Sequence, residues 1–269
     1  MTKTNIQSRA GNFTSSQIYK LIPMGSRPMN KTELVEWKKA NPKSKKKNCA
    51  DGFAEIGLTY ISEKRMEKKL GRQIQLETSS ASSMWGTFMQ HRVTNVLLDA
   101  GCIPTKDIRR VHQLYANWTG AEDYLRSDCI GEIKCFELKN FCQTHDAATA
   151  GYESLKEECP EIFWQLVSNA ILCEKKIAEL TLYVPYKAEL EIIRDENEWQ
   201  NILPNGIFES DKFKFWLRQI NFKEDNELPY LIDGTHYPNK SIFKFEIKDE
   251  DKTAIFNRVV LANKLLNEN

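Results

Sequence analysis

Glycine is scarce in this sequence, 12 residues in 269, and none of it is arranged to cradle a phosphate. Neither GxGxxG nor GxxxxGK[ST] occurs, so both familiar nucleotide-binding loops lack support, and ATP chemistry with them. The seven cysteines (Cys49, Cys102, Cys129, Cys135, Cys142, Cys159 and Cys173) form no CxxC pair and are odd in number. That pattern argues against a disulfide framework and a zinc ribbon. No cysteine follows Cys173, which leaves no late run for an iron–sulfur cluster. Long apolar runs are missing too, so no transmembrane helix is expected. The opening MTKTNIQSRAGNF has no apolar run before a cleavage site, and an intracellular protein is expected. Internal repeats, low-complexity tracts and Gly/Ser linkers are also absent. One domain spanning 1–269 is expected, with a peripheral insertion at about 200–240.

What is present is a separation of charge hidden by a net value of +1. Residues 1–120 hold 20 Lys and Arg against 9 Asp and Glu, whereas residues 121–269 hold 18 against 28. Half of the chain could face a polyanion while the rest stays acidic, as in a nucleic-acid binder; a chance distribution of surface charge is the alternative. Six lysines crowd KKANPKSKKK at 38–47, which reads either as a mobile basic loop or as a merely solvated one.

Phe13-Thr14-Ser15 before SQIYKLI predicts a short helix capped by Thr14 or Ser15. Helical spacing of apolar residues runs from Ala50 to Leu70, with Gly71 as a stop, and again from about Ser82 to Ala100. After Trp118 the pattern turns to short strands: LYANW, a bend through TGAEDYL, and a return in CIGEIKCF. A helix PEIFWQLVSNAIL follows, then a strand ELTLYVPY with LEIIR as its expected partner, then helices at about 209–220 and 250–267. Strands alternating with helices imply an α/β domain with a mixed central sheet flanked by helices.

Within this frame Glu132-Ile133-Lys134 lies on an expected strand, so Glu132 and Lys134 share a face while Ile133 points to the core. Asp123, nine residues upstream, is at hairpin distance and would stand beside Glu132 on the neighbouring strand. Two carboxylates can hold Mg²⁺, which keeps several waters and uses few protein ligands, and a lysine beside them can orient or deprotonate water and offset charge on phosphorus. Such a trio suits phosphodiester hydrolysis. A second ExK, Glu137-Leu138-Lys139, competes with it, and Asp128 is a rival acid better suited to the turn. The histidines His112, His145 and His236 have no partner at metal spacing. Trp118, Trp164, Trp199 and Trp216 fit core packing better than base stacking.

Arg9-Ala10-Gly11-Asn12-Phe13-Thr14-Ser15-Ser16, TYISEKRMEKKLG, Met84-Trp85-Gly86, GAEDYL…GEIKC and PEIFWQL occur in this order along the chain. Together they resemble the lambda-exonuclease family of YqaJ-like viral recombinases, whose fold is the PD-(D/E)xK restriction-endonuclease-like core. The resemblance covers roughly residues 9–195. It implies a Mg²⁺-dependent exonuclease, with Mn²⁺ as a substitute, that degrades one strand of linear duplex DNA from a 5′ end in a phage-type recombination system of a bacterial cytoplasm. It further implies a ring-shaped homo-trimer and a single-strand annealing partner. Carried across by position, Asp123, Glu132 and the Ile133 carbonyl would be metal ligands and Lys134 the catalytic lysine. Gln165 would match the glutamine of the helix behind the site, and Arg9 and Ser16 the pocket for a terminal 5′ phosphate.

The chain departs from that family in two places. Ala121-Glu122-Asp123 replaces Ser-Pro-Asp, and Gln90 stands where the family has a glutamate. Either Gln90 or the adjacent His91 could serve the metal. On a helix, Gln90 lies about 105° from the centre of the apolar arc on the Gly86 side, and His91 about 155° away. Gln90 is therefore expected to face the site and His91 the surface. A structure- or site-specific endonuclease of the same fold and a catalytically silent DNA-binding protein are the competing readings.

Overall fold

Alternation in CIGEIK makes Cys129–Lys134 a strand with both faces occupied, and the rest of a mixed sheet is built outward from it. A computed structural model describes residues 10–43, 45, 48–74, 80–105, 108–203 and 210–267. In chain order the elements are β1 (Phe13–Thr14), a 3₁₀ turn (Ser15–Leu21), β2 (Met24–Pro28), α1 (Lys31–Ala40), β3 (Asn48–Phe53), α2 (Glu55–Leu70) and α3 (Ala81–Arg92). There follow β4 (Ile103–Pro104), β5 (Arg110–Val111), β6 (Trp118–Gly120), β7 (Tyr124–Leu125), β8 (Cys129–Lys134), α4 (Leu138–Ala150), α5 (Tyr152–Glu158) and α6 (Pro160–Leu172). The chain closes with β9 (Ile177–Tyr183), α7 (Leu190–Arg194), α8 (Glu196–Ile202), α9 (Asp211–Asn221), β10 (Lys240–Glu246) and α10 (Asp249–Asn267). The chain falls into two compact units, one of residues 1–76, 111–120 and 248–269, the other of 77–110 and 121–247.

In the second unit the five strands run in the order β10-β9-β8-β7-β4. Only the β8–β9 pair is parallel; β10–β9, β8–β7 and β7–β4 are antiparallel. A parallel pair needs a crossover, here α4, α5 and α6, and α6 packs against both strands it connects. This is the mixed α/β sheet with flanking helices expected from the sequence. On its other face Trp85, Phe88, Met89 and Val93 meet Trp199, Phe213, Trp216 and Ile220. The Phe88 ring lies 4.4 Å from Trp199 and 5.1 Å from Phe213. Residues of the 200–240 stretch thus supply part of this cluster.

In the first unit β1 pairs parallel with β6, and β2 pairs antiparallel with β3. Arg258 of α10 is buried there, donating to the carbonyls of Leu21 (2.7 Å), Asp51 (3.0 Å) and Gly52 (3.0 Å) with its head over the Phe53 ring. No helix among the described residues is long and apolar enough to cross a membrane.

The chain departs from its local sequence patterns at several points. Ala50 to Phe53, expected as the start of a helix, is the end of strand β3, because its main chain pairs with β2, Met24 opposite Phe53; the helix begins at Glu55 and ends, as expected, at Gly71 in the left-handed region (φ 65°). LEIIR is the helix α7, and the true antiparallel partner of β9 is β10, far downstream. Five residues cannot distinguish a helical from an alternating period. LYANW contributes only Trp118 to a strand. Val96 leaves the apolar arc and is exposed because Val93–Leu97 winds as a π-helix, which shifts the phase of the residues that follow. Thr14 precedes the 3₁₀ turn without a side-chain capping bond. The lysine tract divides between the end of α1 and a loop whose residues 44, 46 and 47 lie outside the described set.

Candidate active site

Antiparallel register carries the first part of the site. Tyr124 pairs with Gly131 and Leu125 with Ile130, so one further step along the hairpin sets Asp123 opposite Glu132. The hairpin continues past the last paired residue: the Asp123 amide donates to the Gly131 carbonyl at 2.9 Å. Gly131 is required by close approach, since a Cβ there would fall 2.0 Å from the Tyr124 ring. The ring crosses that vacancy, and its hydroxyl reaches Glu179 (3.0 Å) and Thr181 (2.9 Å) on β9. Asp123 and Glu132 thereby share one face of the sheet, and Tyr124 anchors the other.

Glu132 is 1% exposed, and three side chains hold its carboxylate. Asn169 donates to Oε1, Gln165 to Oε2 at 2.8 Å, and the Lys134 ammonium lies 3.5 Å from Oε2. Gln165 also accepts from Lys134 at 2.9 Å, so a single amide ties the lysine to the glutamate. Asp123 accepts from the Ile133 amide at 2.7 Å and from the Gln90 side chain. Burial pushes the Glu132 carboxyl well above the usual range; Lys134 opposes this, Asp123 adds to it, and the Asn169 hydrogen bond opposes it.

Every predicted residue from the second unit except His91 is therefore in one cluster: Asp123, Glu132, Lys134, Gln165 and Gln90, with the Ile133 main chain between the two acids. Gln90 reaches Asp123 because α3 runs close to the end of β8; one turn earlier, a Cβ at Gly86 would lie 3.2 Å from the Cys135 carbonyl. His91 is not a surface residue as expected. It is 7% exposed, with its ring edge-on to Phe213 at 5.8 Å, because the cluster of α8 and α9 covers the helix face that phase alone assigned to solvent. The competing Glu137-Leu138-Lys139 lies at the start of α4. Asp128 lies in the turn, 3.7 Å from Lys244. Glu122 turns away from Asp123 to Arg110 (2.7 Å) and the Cys173 thiol (3.2 Å). The four tryptophans weighed for base stacking are all buried.

Ser16 belongs to the first unit, where it is exposed at the start of the 3₁₀ turn with its hydroxyl 3.4 Å from that of Thr14. Arg9 lies outside the described residues. Asn169 joins the cluster without belonging to the motif order, and the sequence carries a signal for it. Gln165 and Asn169 are spaced i, i+4 in a helix otherwise rich in apolar residues, which puts two amides on one face.

No protein-family model and no curated protein sequence matches the chain. Solved structures do. An alkaline exonuclease, LHK-Exo, from Laribacter hongkongensis is similar with a TM-score of 0.52 and 15% identity, over 96% of this chain and 91% of that one. The same enzyme in complex with dAMP gives 0.52 and 16% over the same shares. A phage-related exonuclease from Haemophilus somnus 129PT gives 0.54 and 14%, over 95% of this chain and 93% of its own. The fold is shared along nearly the whole length of both.

Chemically, the cluster presents oxygen donors from Asp123 and Glu132 with an ammonium beside them. Among the described residues no group of three or more His, Cys, Asp or Glu side chains is placed to hold a metal ion. The two carboxylates are hard oxygen donors that suit a cation retaining waters, while the amides of Gln90, Gln165 and Asn169 turn their nitrogens, not their oxygens, toward them.

Proposed function

We propose that the chain is a divalent-metal-dependent deoxyribonuclease acting on the ends of duplex DNA. The observation that carries this reading is the juxtaposition of Asp123, Glu132 and Lys134 on one sheet face with Gln165 joining the last two. The shared fold of two proteins described as exonucleases supports it. Asp123 and Glu132, with the Ile133 carbonyl, would hold Mg²⁺, which would polarise a phosphoryl oxygen and acidify the attacking water. Lys134, held by Gln165, would orient that water and offset the charge gathering on phosphorus as the P–O bond to the leaving nucleotide breaks. The Gln90 amide occupies one oxygen of Asp123 and limits the charge of the site to two carboxylates.

Action from 5′ ends, a role in phage-type recombination in a bacterial cytoplasm, a homo-trimeric ring and a single-strand annealing partner belong to the same proposal and rest on the family resemblance. So do Arg9 and Ser16 as the 5′-phosphate pocket. The deciding experiment compares linear and closed circular duplex with and without Mg²⁺. Mg²⁺-dependent loss of linear DNA with circles untouched is expected. Conversion of circles to linear product would establish an endonuclease instead, and binding without cleavage a silent DNA-binding protein. Linear duplex bearing a 5′ phosphate should be digested faster than 5′-hydroxyl duplex, and Arg9→Ala should erase the difference.

A further inference from the structure

Asn169 is fully buried on α6, one turn after Gln165, and its amide nitrogen serves two acceptors at once. One is Glu132 Oε1; the other is the Ala121 carbonyl at 3.2 Å, two residues before Asp123. Its own oxygen is buried with no hydrogen-bond partner among the described residues. An unsatisfied buried acceptor is costly, and turning the amide over would only set that oxygen against a carboxylate and a carbonyl. The two acceptors therefore dictate the orientation. A leucine of similar size would satisfy the packing of this apolar helix without an orphaned oxygen, so packing does not account for the residue.

We infer that Asn169 is a positioning residue that straps Glu132 to the segment carrying Asp123, thereby fixing the separation of the two carboxylates. Its bonds run from α6 to Glu132 on β8 and to the segment just before β7, whereas the Asp123 carboxylate ties that segment to the Ile133 amide. Gln165 restrains Glu132 and Lys134, which lie on one strand; Asn169 restrains Glu132 against the segment that leads to Asp123. Both Glu132 oxygens are thus fixed from the α6 side; Oε2 takes two bonds, and Oε1, with the Asn169 bond alone, keeps acceptor capacity. The inference rests on the proposal that Asp123 and Glu132 hold a divalent cation.

The test is Mn²⁺ binding followed by calorimetry in the absence of DNA, together with kcat and KM on linear duplex, for wild type, Asn169→Leu and Asn169→Ser. Loss of an outer partner of a ligating carboxylate typically weakens metal binding or activity by about 10–100-fold. Asn169→Leu should fall in that range for Mn²⁺ affinity and kcat while KM for DNA holds. Asn169→Ser can donate to one of the two acceptors and should recover part of the loss. It also decides the matter if the leucine variant lacks a cooperative melt. Either folded variant binding Mn²⁺ as wild type does would overturn the inference. A wild-type protein that neither binds Mn²⁺ nor cleaves DNA would overturn the nuclease proposal itself, a result distinguishable from the first.

Discussion

Glu132 and Asp123 are held by amide donors and by each other's strand, so Glu132→Gln and Asp123→Asn keep shape while removing charge where a cation would sit. Each should lower cleavage by at least about 10²-fold, with DNA binding retained. Lys134→Ala should do likewise, whereas Lys139→Ala should cleave normally; the opposite pair of rates would move the site to the second ExK. Gln90→Glu adds a carboxylate beside Asp123 and should lower the Mg²⁺ concentration needed for half-maximal cleavage. His91→Ala should leave that concentration unchanged yet cost about 1–3 kcal/mol in denaturant melts, because the ring is buried against Phe213. The acids and the lysine could be located from sequence because strand alternation and hairpin length are rules of the backbone. Asn169 was legible only as the second amide of an i, i+4 pair on α6; its contacts with Glu132 and the Ala121 carbonyl depend on how α6 packs on the sheet, which no local pattern encodes.

Among the elements, α1 has no buried side chain, and its start is fixed by polar contacts. Asn30 and Glu33 form a capping box, and both Glu33 oxygens bind Arg27, at 2.8 and 2.7 Å. Arg27 and the Asn30 amide hold the Glu33 carboxyl down to about 2 from an ordinary 4.5. A depressed carboxylate contributes its stability above the unfolded value and loses it as pH falls through the folded one. Wild-type helicity should therefore decline between about pH 4.5 and 2 more steeply than that of Glu33→Gln, as circular dichroism would record. Arg258 is the opposite case, a buried cation satisfied by main-chain carbonyls of β3 and its surroundings. Arg258→Leu strands those acceptors and should cost about 2–5 kcal/mol in melting experiments. Long periodic helices such as α6 and α10 were legible in the sequence. The β2–β3 pair was not, since NCADGF has no alternation and becomes a strand only through its partner and the Arg258 beneath it.

Taken over the whole molecule, the charge separation read along the chain is kept almost intact between the two units. The first unit holds 20 Lys and Arg against 10 Asp and Glu, the second 18 against 27. The unit bearing the candidate active site is thus the acidic one. DNA affinity should come from the basic unit and fall roughly 10-fold or more between 50 and 200 mM salt, measurable by fluorescence anisotropy. Turnover at saturating DNA should vary less, since the carboxylates and Lys134 are already held in a buried network. Lys38→Gln with Lys39→Gln should weaken binding at fixed salt and leave kcat alone. This division of labour also bears on inhibition. A soluble polyanion such as heparin would occupy the basic unit and compete with DNA, yet it would leave the carboxylate pair open to exchange with chelators and free cations. Heparin and EDTA should therefore suppress the proposed cleavage independently, neither shielding the protein from the other.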